Sequence, residues 1–421
     1  MEISYNLRYQ KSTFSNRTLI DKEGEVIIYD KGFRLKGKGA TDKGELINFS
    51  EVKEFYYKNE RIFFITFSKE KYTLSDAGTL FDQLLKDLYR SRNEFLMDAL
   101  FMKGGKLKAE FDGHFKRLSK FQKFICKGEA KIRLYEKTMV VIPPNMDAFS
   151  INFNFVNFHE FDELDYNLKI VMDDGSVNFF SHLGNDFEIF EEKINELLGG
   201  LYDTLVNENL RQAFPQFHAA TLLKLAYRMK GGKAVSEKDI IKIDEDLAAS
   251  MDEFMFDNEE IKNKFNFLRT LGESEVFYAI AKDDLRNSFI RWALISIPEN
   301  NMVAFTVFPP KKIEDEAQAE SKTSTETYFY KIIMEKGNPV DKQKDKVLEI
   351  EQALVTLNFV KDPCYMDKRD LRHSPYQYAI RKMPFLRILR KSYVGSINTP
   401  DEKEWKKKAK ELIKKTKLSS N

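Results

Sequence analysis

Two short motifs occur twice along this chain, in the same order and at nearly the same spacing. Ile47–Val52 (INFSEV) returns as Ile151–Val156 (INFNFV). About 25 residues after each copy, Ser75–Phe81 (SDAGTLF) is matched by Ser181–Phe187 (SHLGNDF), so the two offsets are 104 and 106 residues. Solenoid units repeat every ~20–50 residues, so this much longer period indicates a duplicated domain instead.

Length and composition are compatible with several folded domains. The chain has 421 residues, of which 42% are hydrophobic and 36 are phenylalanine. At roughly 100–200 residues per domain, this length predicts two or three domains, and the apolar content is ample for their cores. The net charge of +2 does not by itself demand a nucleic acid or a membrane as partner.

The sequence carries no sign of secretion or of a membrane-spanning helix. Met1–Tyr5 lacks the basic start and apolar run of a signal peptide, and no stretch approaches 18 consecutive apolar residues. The two cysteines, Cys126 and Cys364, are too few and too distant to indicate a disulfide framework or a cysteine-rich metal site, which fits a reducing compartment. We therefore expect a soluble cytoplasmic protein.

The first copy of the repeat predicts short antiparallel strands followed by a helix. Ile3–Tyr9 is expected as an edge strand, and Gly24–Tyr29 and Phe33–Lys36 as the first hairpin. Four more short strands are expected between residues 46 and 74. A helical pattern then begins after Gly78 and ends at Gly104.

The second copy follows the same plan. Gly128–Tyr135 and Thr138–Ile142 are expected to form its first hairpin, and four short strands follow between residues 149 and 180. Apolar residues at helical spacing from Phe187 onward predict the closing helix, with a kink at Gly199–Gly200. Both copies therefore predict six or seven antiparallel strands and one C-terminal amphipathic helix.

This order of elements resembles the pleckstrin-homology-like (PH-like) superfold, over about residues 1–210. The resemblance implies that each copy is a half-open barrel of two near-orthogonal sheets, whose open end the helix covers. The chain also looks similar to bacterial proteins of uncharacterised function that carry tandem copies of this domain. Histone chaperones use paired PH-like modules as protein-binding surfaces, but this is an analogy of fold, and fold does not fix function.

The second half of the chain predicts a different organisation. Residues 211–270 are interpreted as a helical linker, and residues 271–421 as an α+β domain that ends in a basic helix. A divergent third PH-like unit is an alternative interpretation of this last domain. The expected fold class is thus α+β, with tandem PH-like antiparallel barrels at residues 1–105 and 106–210, each closed by its C-terminal helix, before the linker and the C-terminal domain.

No pattern of catalytic or cofactor-binding residues emerges. Gly37–Gly44 is rich in glycine and lysine, but it lacks the order of a phosphate-binding P-loop and lies between predicted strands. There is no G-x-S-x-G motif, and the five histidines lack the H-x-x-x-H spacing of a helical metal site. We therefore expect a chain that is not an enzyme and binds no cofactor or metal, although an active site built from dispersed residues would leave no trace in sequence.

Basic residues cluster around the predicted first hairpin of the first copy. PH domains that hold phosphoinositides place basic residues beside their first hairpin loop, so the resemblance implies a headgroup site there. The family pattern is not matched closely, and Arg34-Leu35-Lys36 is its nearest equivalent. An ordinary solvated strand face is the alternative. The candidate headgroup-binding residues are Lys31, Arg34, Lys36 and Lys38.

The balance of charge changes near residue 361. Residues 361–421 contain 17 Lys/Arg and 7 Asp/Glu, whereas residues 1–360 contain 51 and 59. The basic segment could bind phosphates of nucleic acid or of an anionic membrane, but pairing with the acidic remainder of the chain explains it equally well. The candidate anion-binding residues are Arg381, Lys382, Arg387, Arg390 and Lys391.

The leading functional hypothesis is a non-enzymatic protein-binding or scaffold protein. Its tandem PH-like domains would bind a protein partner, whose identity the sequence does not give, by strand or helix addition. The alternative is recognition of phosphate groups, in nucleic acid or anionic lipid, through the basic C-terminal segment.

Overall fold

The structure is a computed structural model that describes residues 3–418 with internal gaps. The residues outside the description are 1–2, 14, 16, 40–41, 257, 272–274, 284–287, 313–325, 333–346, 348–349, 352, 355–365, 373, 375 and 419–421, so Cys364 lies outside it. The described chain is an α+β protein with antiparallel sheets. It divides into a first unit (residues 1–195 with 371–383) and a second unit (residues 196–370 with 384–421).

The first unit contains two seven-stranded antiparallel sheets. The strands of the first sheet, and the helix after them, are β1 (Ile3–Ser12), β2 (Thr18–Tyr29), β3 (Gly32–Gly37), β4 (Glu45–Asn48), β5 (Val52–Lys58), β6 (Arg61–Thr66), β7 (Lys71–Ser75) and α1 (Phe81–Ala99). Those of the second sheet are β8 (Leu107–Leu118), β9 (Phe124–Tyr135), β10 (Thr138–Ile142), β11 (Phe149–Asn152), β12 (Val156–Asp162), β13 (Asn167–Met172), β14 (Val177–Ser181) and α2 (Phe187–Asp203). Both have the same strand order: β4-β3-β2-β1-β7-β6-β5 and β11-β10-β9-β8-β14-β13-β12.

Both edges of the first sheet contribute to one core. Strands β4 and β5 lie at opposite edges, yet only the three-residue turn Phe49–Glu51 joins them. Every strand contributes to a single apolar cluster with Leu84 and Leu88 of α1, and most do so through alternate side chains, such as Val26 and Ile28 of β2. This alternation is the period-2 geometry of a strand. The sheet therefore curls around a core that α1 covers.

The first repeated motif forms the turn between the two edges of each sheet. In each copy the turn begins with a fully buried phenylalanine, Phe49 or Phe153. The asparagine before it has a capping role in the second sheet, where the Asn154 N–H donates to the Asn152 side chain at 2.9 Å. The phenylalanine that both motifs share, and Asn152 in the second copy, thus have structural roles at this turn.

The second repeated motif sets the backbone where each helix begins. Asp76 and His182 have φ values of 60° and 56°, and two residues later Gly78 and Gly184 both have φ of 58°. Glycine adopts this left-handed conformation freely, whereas most other residues adopt it at a cost. A 3₁₀ turn and then an α-helix follow in both copies. The two left-handed positions therefore turn the chain from the last strand into the helix.

Two predictions about how the strands pair are wrong, although the strands themselves are present. Ile3–Tyr9 is not an edge strand, because β1 is hydrogen-bonded to β2 on one side and to β7 on the other. The expected first hairpins are in fact the second ones, since β1 pairs with β2, and β8 with β9, before them. Ala109 and Gly113 dilute the apolar alternation of β8, which explains why this strand gave no signal in the sequence.

The second unit combines helices with a six-stranded antiparallel sheet. Its helical elements are the π-helical segment Thr204–Leu210, α3 (Arg211–Ala213), α4 (Ala219–Met229), α5 (Glu237–Ile241), α6 (Glu245–Met255), α7 (Glu259–Arg269) and, later in the chain, α10 (Pro384–Ser392) and α11 (Glu402–Leu418). Two short helices precede α10 in the chain, α8 (Lys368–Arg372) and α9 (Tyr376–Lys382), and α9 belongs to the first unit. The strands, in sheet order, are β15 (Val235–Ser236), β16 (Val276–Asp283), β17 (Ser288–Ile297), β18 (Met302–Lys312), β19 (Glu326–Lys331) and β20 (Tyr393–Ile397).

The core of the second unit includes the helices that the sequence suggested as a linker. Leu222, Leu247 and Phe265 from these helices share one apolar cluster with the sheet and with Trp405 of α11. The sheet is a meander whose first and last strands lie at opposite edges, unlike the two sheets of the first unit. Helix α2 continues without a break through Gly199, where a kink was expected. Among the described residues, no helix combines the length and apolar character needed to cross a membrane.

Candidate interaction site

Helix α1 holds the two sheets of the first unit together through a buried arginine. Arg92 is fully buried, and its Nε and Nη2 donate to the two carboxylate oxygens of Asp147 at 2.6 and 2.9 Å. Burial acts to lower the pKa of Arg92, but the hydrogen bonds and charge of Asp147 outweigh it and raise that pKa. The bidentate geometry is what makes a charge tolerable in this interior position.

The next residue of α1 fixes the loop that contains Asp147. The Asn93 side-chain amide donates to the backbone carbonyls of Pro143 and Met146, at 3.0 and 3.1 Å. Its carbonyl oxygen accepts from the Ala148 N–H at 2.8 Å. This fully buried amide thus has partners at both ends. The two sheets are therefore joined by directional bonds as well as by apolar contact.

A short helix from much later in the chain packs where the two sheets meet. Helix α9 belongs to the first unit, and its Tyr378 is only 3% exposed. The Tyr378 ring makes edge-to-face contacts with Phe95 and Phe67, at centroid distances of 5.0 and 6.2 Å. The cluster around it draws on α1, the segment after it and the second sheet: Leu96, Met97, Met102, Tyr135, Val140 and Ala148. Tyr378 therefore anchors α9 at the junction.

Two cations of α9 contact the first sheet. The Arg381 guanidinium lies 4.6 Å from the centroid of the Phe67 ring. Lys382 Nζ donates to the backbone carbonyl of Lys53 on the edge strand β5. Burial lowers the pKa of Lys382, and the nearby charge of Arg92 lowers it further. We call the surface that α9 covers, formed by Lys53, Phe67, Arg92 and Phe95, the helix-docking face.

The helix-docking face combines features found where proteins recognise helices. Helix α9 packs on this face through a buried aromatic anchor, Tyr378, and the contact includes a cation–π pair and an edge strand. Burial raises the pKa of Tyr378, and the Arg92 guanidinium opposes that change. The phenol therefore stays neutral at physiological pH, which suits its position among apolar side chains.

A groove of about 750 Å³ lies between α1 and the second sheet. Charged and polar side chains of both signs line it: Gln83, Lys86, Asp87, Arg90 and Glu94 from α1, and Asp112, His114, Glu129, Lys131, Arg133 and His182 from the second sheet and the residue after it. Arg133 Nη1 bonds the Glu94 carboxylate across the groove at 2.7 Å. Ile142, Pro143 and Pro144 also line the groove, so its walls combine charges of both signs with apolar surface.

Two histidines of this groove stack on one another. The rings of His114 and His182 have centroids 4.4 Å apart and an interplanar angle of 24°. Within the described part of the chain, no three His, Cys, Asp or Glu side chains form a group that could hold a metal ion.

The predicted anion-binding residues do not form one patch within either unit. Arg381 and Lys382 belong to the first unit, where both contact the first sheet. Arg387, Arg390 and Lys391 lie on α10 in the second unit, with Arg387 and Lys391 exposed and Arg390 half-buried. The compact charge run in the sequence is therefore divided where α9 ends and α10 begins.

The predicted headgroup-binding residues are on or beside β3, in the second hairpin of the first sheet. Lys36 and Lys38 form ion pairs with Glu25 and Glu23 of β2, at 3.6 and 2.6 Å. The Arg34 guanidinium lies 5.7 Å from the centroid of the Tyr29 ring. Lys31 is exposed at the turn, and its backbone carbonyl accepts from the Phe49 N–H. Three of the four side chains thus interact with their own hairpin.

The residues that form the junction were missed at the level of sequence. Arg92 lies four residues after Leu88 and four before Leu96, on the apolar face of α1. A charged residue at a core-facing position of a helix is a usable signal for a buried partner. Nothing in the sequence pointed to Asp147 as that partner, because the contact spans 55 residues.

Comparison of the sequence with models of known protein families finds no match, and a search of curated proteins finds none either. Function is therefore inferred from the geometry of the first unit.

Proposed function

We propose that this chain is a non-enzymatic protein-binding scaffold. In this proposal the two sheets, with α1 and α2, are PH-like half-barrels at residues 1–105 and 106–210. Helical segments of a partner protein bind at the helix-docking face of the first half-barrel, and the groove beside α1 offers a second surface. The single observation that carries the proposal is the packing of α9, a helix remote in sequence, on that face.

The packing of α9 supports helix recognition because so short a helix is not stable alone. Helix α9 has seven residues, and isolated helices shorter than about 12–15 residues are marginal in water. The face must therefore supply its stability. Burial of one aromatic side chain contributes about 1.5–3 kcal/mol, and a cation over an aromatic ring about 0.5–1 kcal/mol. A face that orders this helix can order a similar helix from a partner.

Protein binding is favoured over phosphate recognition through the basic C-terminal segment. A phosphate site needs several cations on one accessible surface. Lys382 bonds a backbone carbonyl and Arg381 stacks on Phe67, while the other three candidates belong to the second unit. Neither unit on its own therefore presents the full set.

The experiment is affinity capture from extract of the native cell, with the full-length chain as bait. Three baits are compared: the wild type, Tyr378→Ala, and Tyr378→Ala combined with Phe67→Asp. Capture is run with nuclease at about 0.15 M salt, where exposed charges are screened beyond ~8 Å. Removing the Tyr378 anchor should open the helix-docking face, so Tyr378→Ala should recover a protein partner in larger amount than the wild type.

The combined variant is the control for this experiment. Phe67→Asp places a charge in the centre of the opened face and should abolish the gain. Equal recovery by all three baits would contradict binding at this face. Recovery of nucleic acid in samples without nuclease, lost as salt rises, would support the phosphate alternative instead.

A further inference from the structure

The hairpin β8–β9 ends in a tip whose large apolar side chains are exposed. Phe121, Phe124 and Ile125 are 72%, 60% and 50% exposed. The tip is nevertheless held in shape, because the Ser119 N–H donates to the Lys123 carbonyl and the Gln122 N–H to that of Ser119, both at 2.8 Å. A rigid turn therefore presents these apolar groups to the surroundings.

The exposed apolar side chains lie close together in the chain at the end of the ribbon. Phe124 pairs with Leu118 and Cys126 with Arg117, so Ile125 is the extra residue of a β-bulge between them. Phe121 is in the turn itself. The turn and the bulge therefore place three exposed, large apolar side chains within five residues of the chain.

Lysines surround this apolar tip. Residues 113–128 contain five Lys/Arg and no Asp/Glu, and four of the five, Lys116, Lys120, Lys123 and Lys127, are exposed. Two of these lysines lie over aromatic rings, with Lys116 Nζ 5.6 Å from the centroid of Phe179 and Lys120 Nζ 5.2 Å from that of Phe121. Four acidic side chains are nearby: Asp173 and Asp174 in the adjacent turn, and Glu129 and Asp165 in the cleft that Lys116 and Lys127 also line. The five cations of residues 113–128 still outnumber these four carboxylates.

Two of these lysines face each other across the ribbon. Lys116 and Lys127 are directly opposite in the β8–β9 register. Like charges at opposite positions destabilise a sheet, and a nearby anion relieves that repulsion. The pair lies two to three residues behind Phe124, which is roughly 7–10 Å along a strand. Positive charges thus lie about one headgroup layer away from the apolar tip. The same order of charged and apolar layers is found at the surface of a lipid bilayer.

We propose that the β8–β9 tip inserts into the surface of an anionic lipid bilayer. Phe121, Phe124 and Ile125 enter the boundary between headgroups and acyl chains, where apolar anchors are buried by about 5–10 Å. The four exposed lysines contact the anionic headgroups, each contributing attraction at the membrane surface. The site is separate from the helix-docking face, so a protein bound there could be brought to a membrane.

The test is flotation of the full-length chain with lipid vesicles. Vesicles of phosphatidylcholine with about one-third phosphatidylserine are compared with phosphatidylcholine alone, at about 0.1 M salt. The wild type should float with the anionic vesicles only. The triple variant Phe121→Ser, Phe124→Ser, Ile125→Ser should bind about tenfold more weakly, because binding scales with buried apolar area. Lys120→Gln with Lys123→Gln should also weaken binding and reduce its dependence on salt.

Leu19→Ser is the matched control. Leu19 is the second residue of β2, as Ile125 is of β9, and the two side chains are 51% and 50% exposed. This variant should float like the wild type. Absence of wild-type flotation, or loss of it in Leu19→Ser as well, would overturn the proposal. Binding of a single-stranded oligonucleotide that depends on the three apolar residues, without flotation, would assign the tip to nucleic acid instead.

Insertion is tested separately by Phe121→Trp. The two native tryptophans, Trp292 and Trp405, are 0% and 1% exposed, so they provide a constant background. Tryptophan emission should shift to shorter wavelength when anionic vesicles are added, because the indole leaves water. Flotation without this shift would show that the protein binds through another surface, and would overturn the proposal.

Discussion

Arg92 brings a full charge into the interior of the first unit, and Asp147 compensates it there. The side chain of Arg92 is 0% exposed and that of Asp147 is 41% exposed. The exposed pair Arg8–Asp21 has the same bidentate geometry, at 2.7 and 3.0 Å, but its side chains are 53% and 36% exposed. The two pairs therefore separate the effect of burial from that of geometry.

We predict that Asp147→Ala lowers the free energy of unfolding by about 3 kcal/mol, because it leaves a buried guanidinium without its partner. Asp21→Ala should lower it far less, since exposed ion pairs contribute little. Urea unfolding of both variants measures the difference. Equal losses would show that burial of Arg92 is unimportant.

A second residue-scale prediction concerns pH. The Tyr5 hydroxyl donates to the Asp87 carboxylate, and burial together with this bond raises the pKa of Tyr5 from its usual 10.0 to about 12. Between pH 10 and 12 the folded chain therefore holds a proton that the unfolded chain has lost, so stability must fall as pH rises. The stability that this bond contributes is fully present below pH 10.

Urea unfolding of the wild type and Tyr5→Phe across this range isolates that effect. Other buried tyrosines titrate alike in both proteins and cancel in the comparison. The difference in unfolding free energy between them should be constant below pH 9 and shrink between pH 10 and 12. A difference that stays constant through pH 12 would contradict a raised pKa at Tyr5.

The contacts at this scale are the least predictable from the sequence. The position of Arg92 on the apolar face of α1 is visible in the sequence, but its partner Asp147 and the amide bonds of Asn93 depend on contacts between residues 50 or more positions apart. Such contacts follow from how two sheets and a helix pack, and a single sequence carries no pairing information for them.

At the scale of elements, the backbone conformation predicts opposite effects of alanine at two glycines, one in the repeated motif and one inside α2. Gly184 has φ of 58° and Gly199 lies inside α2, and a Cβ at either position would meet open space. Backbone conformation alone therefore decides the outcome. Gly184→Ala should destabilise the protein by about 1 kcal/mol because of the left-handed φ. Gly199→Ala should stabilise it by about 0.5–1 kcal/mol.

Thermal or urea unfolding of these two single variants checks the prediction. Gly78→Ala is the matched variant in the first sheet, since Gly78 has the same φ and the same open surroundings. It should behave like Gly184→Ala. Stabilisation by either of these two alanines would show that the shared motif does not depend on left-handed backbone.

Elements with strong periodicity were predictable from sequence, and those with diluted patterns were not. The helices α1 and α2 follow from apolar residues at helical spacing, and most short strands follow from alternation. Strand β8 was missed, and with it the correct first hairpin, because its alternation includes alanine and glycine. For the same reason the exposed tip of β8–β9 was not recognised in the sequence as a site.

At the scale of the whole molecule, Tyr378 decides whether α9 stays packed on the first unit. Among the described side chains of α9, Tyr378 is the only buried aromatic one, and Tyr378→Ala removes it. Loss of a buried aromatic side chain costs about 3–5 kcal/mol, so amide hydrogens of residues 376–382 should exchange about 100-fold faster or more. Exchange at β1 and β8 should remain unchanged.

Tyr166→Ala provides the control for this measurement. Tyr166 is 63% exposed, and its removal should leave exchange in α9 as in the wild type. Unchanged exchange in Tyr378→Ala would contradict the anchoring role of this residue.

The assignment of residues 371–383 to the first unit was beyond sequence reasoning. The sequence placed this segment in a C-terminal domain at residues 271–421, because it lies next to α10 and α11 in the chain. Long-range docking of a seven-residue helix leaves no periodic signal, since its stability comes from the surface that receives it. The duplication, by contrast, was evident from two short motifs.

The most direct measurement is binding of a fluorescent peptide of residues 371–383 to the full-length chain, followed by anisotropy. The wild-type face is already occupied by α9, so it should bind the peptide weakly. Tyr378→Ala should bind it at least about tenfold more tightly, and Tyr378→Ala with Phe67→Asp should not bind it. Binding that is absent in Tyr378→Ala, or equal in all three proteins, would contradict the claim that this face recognises helices.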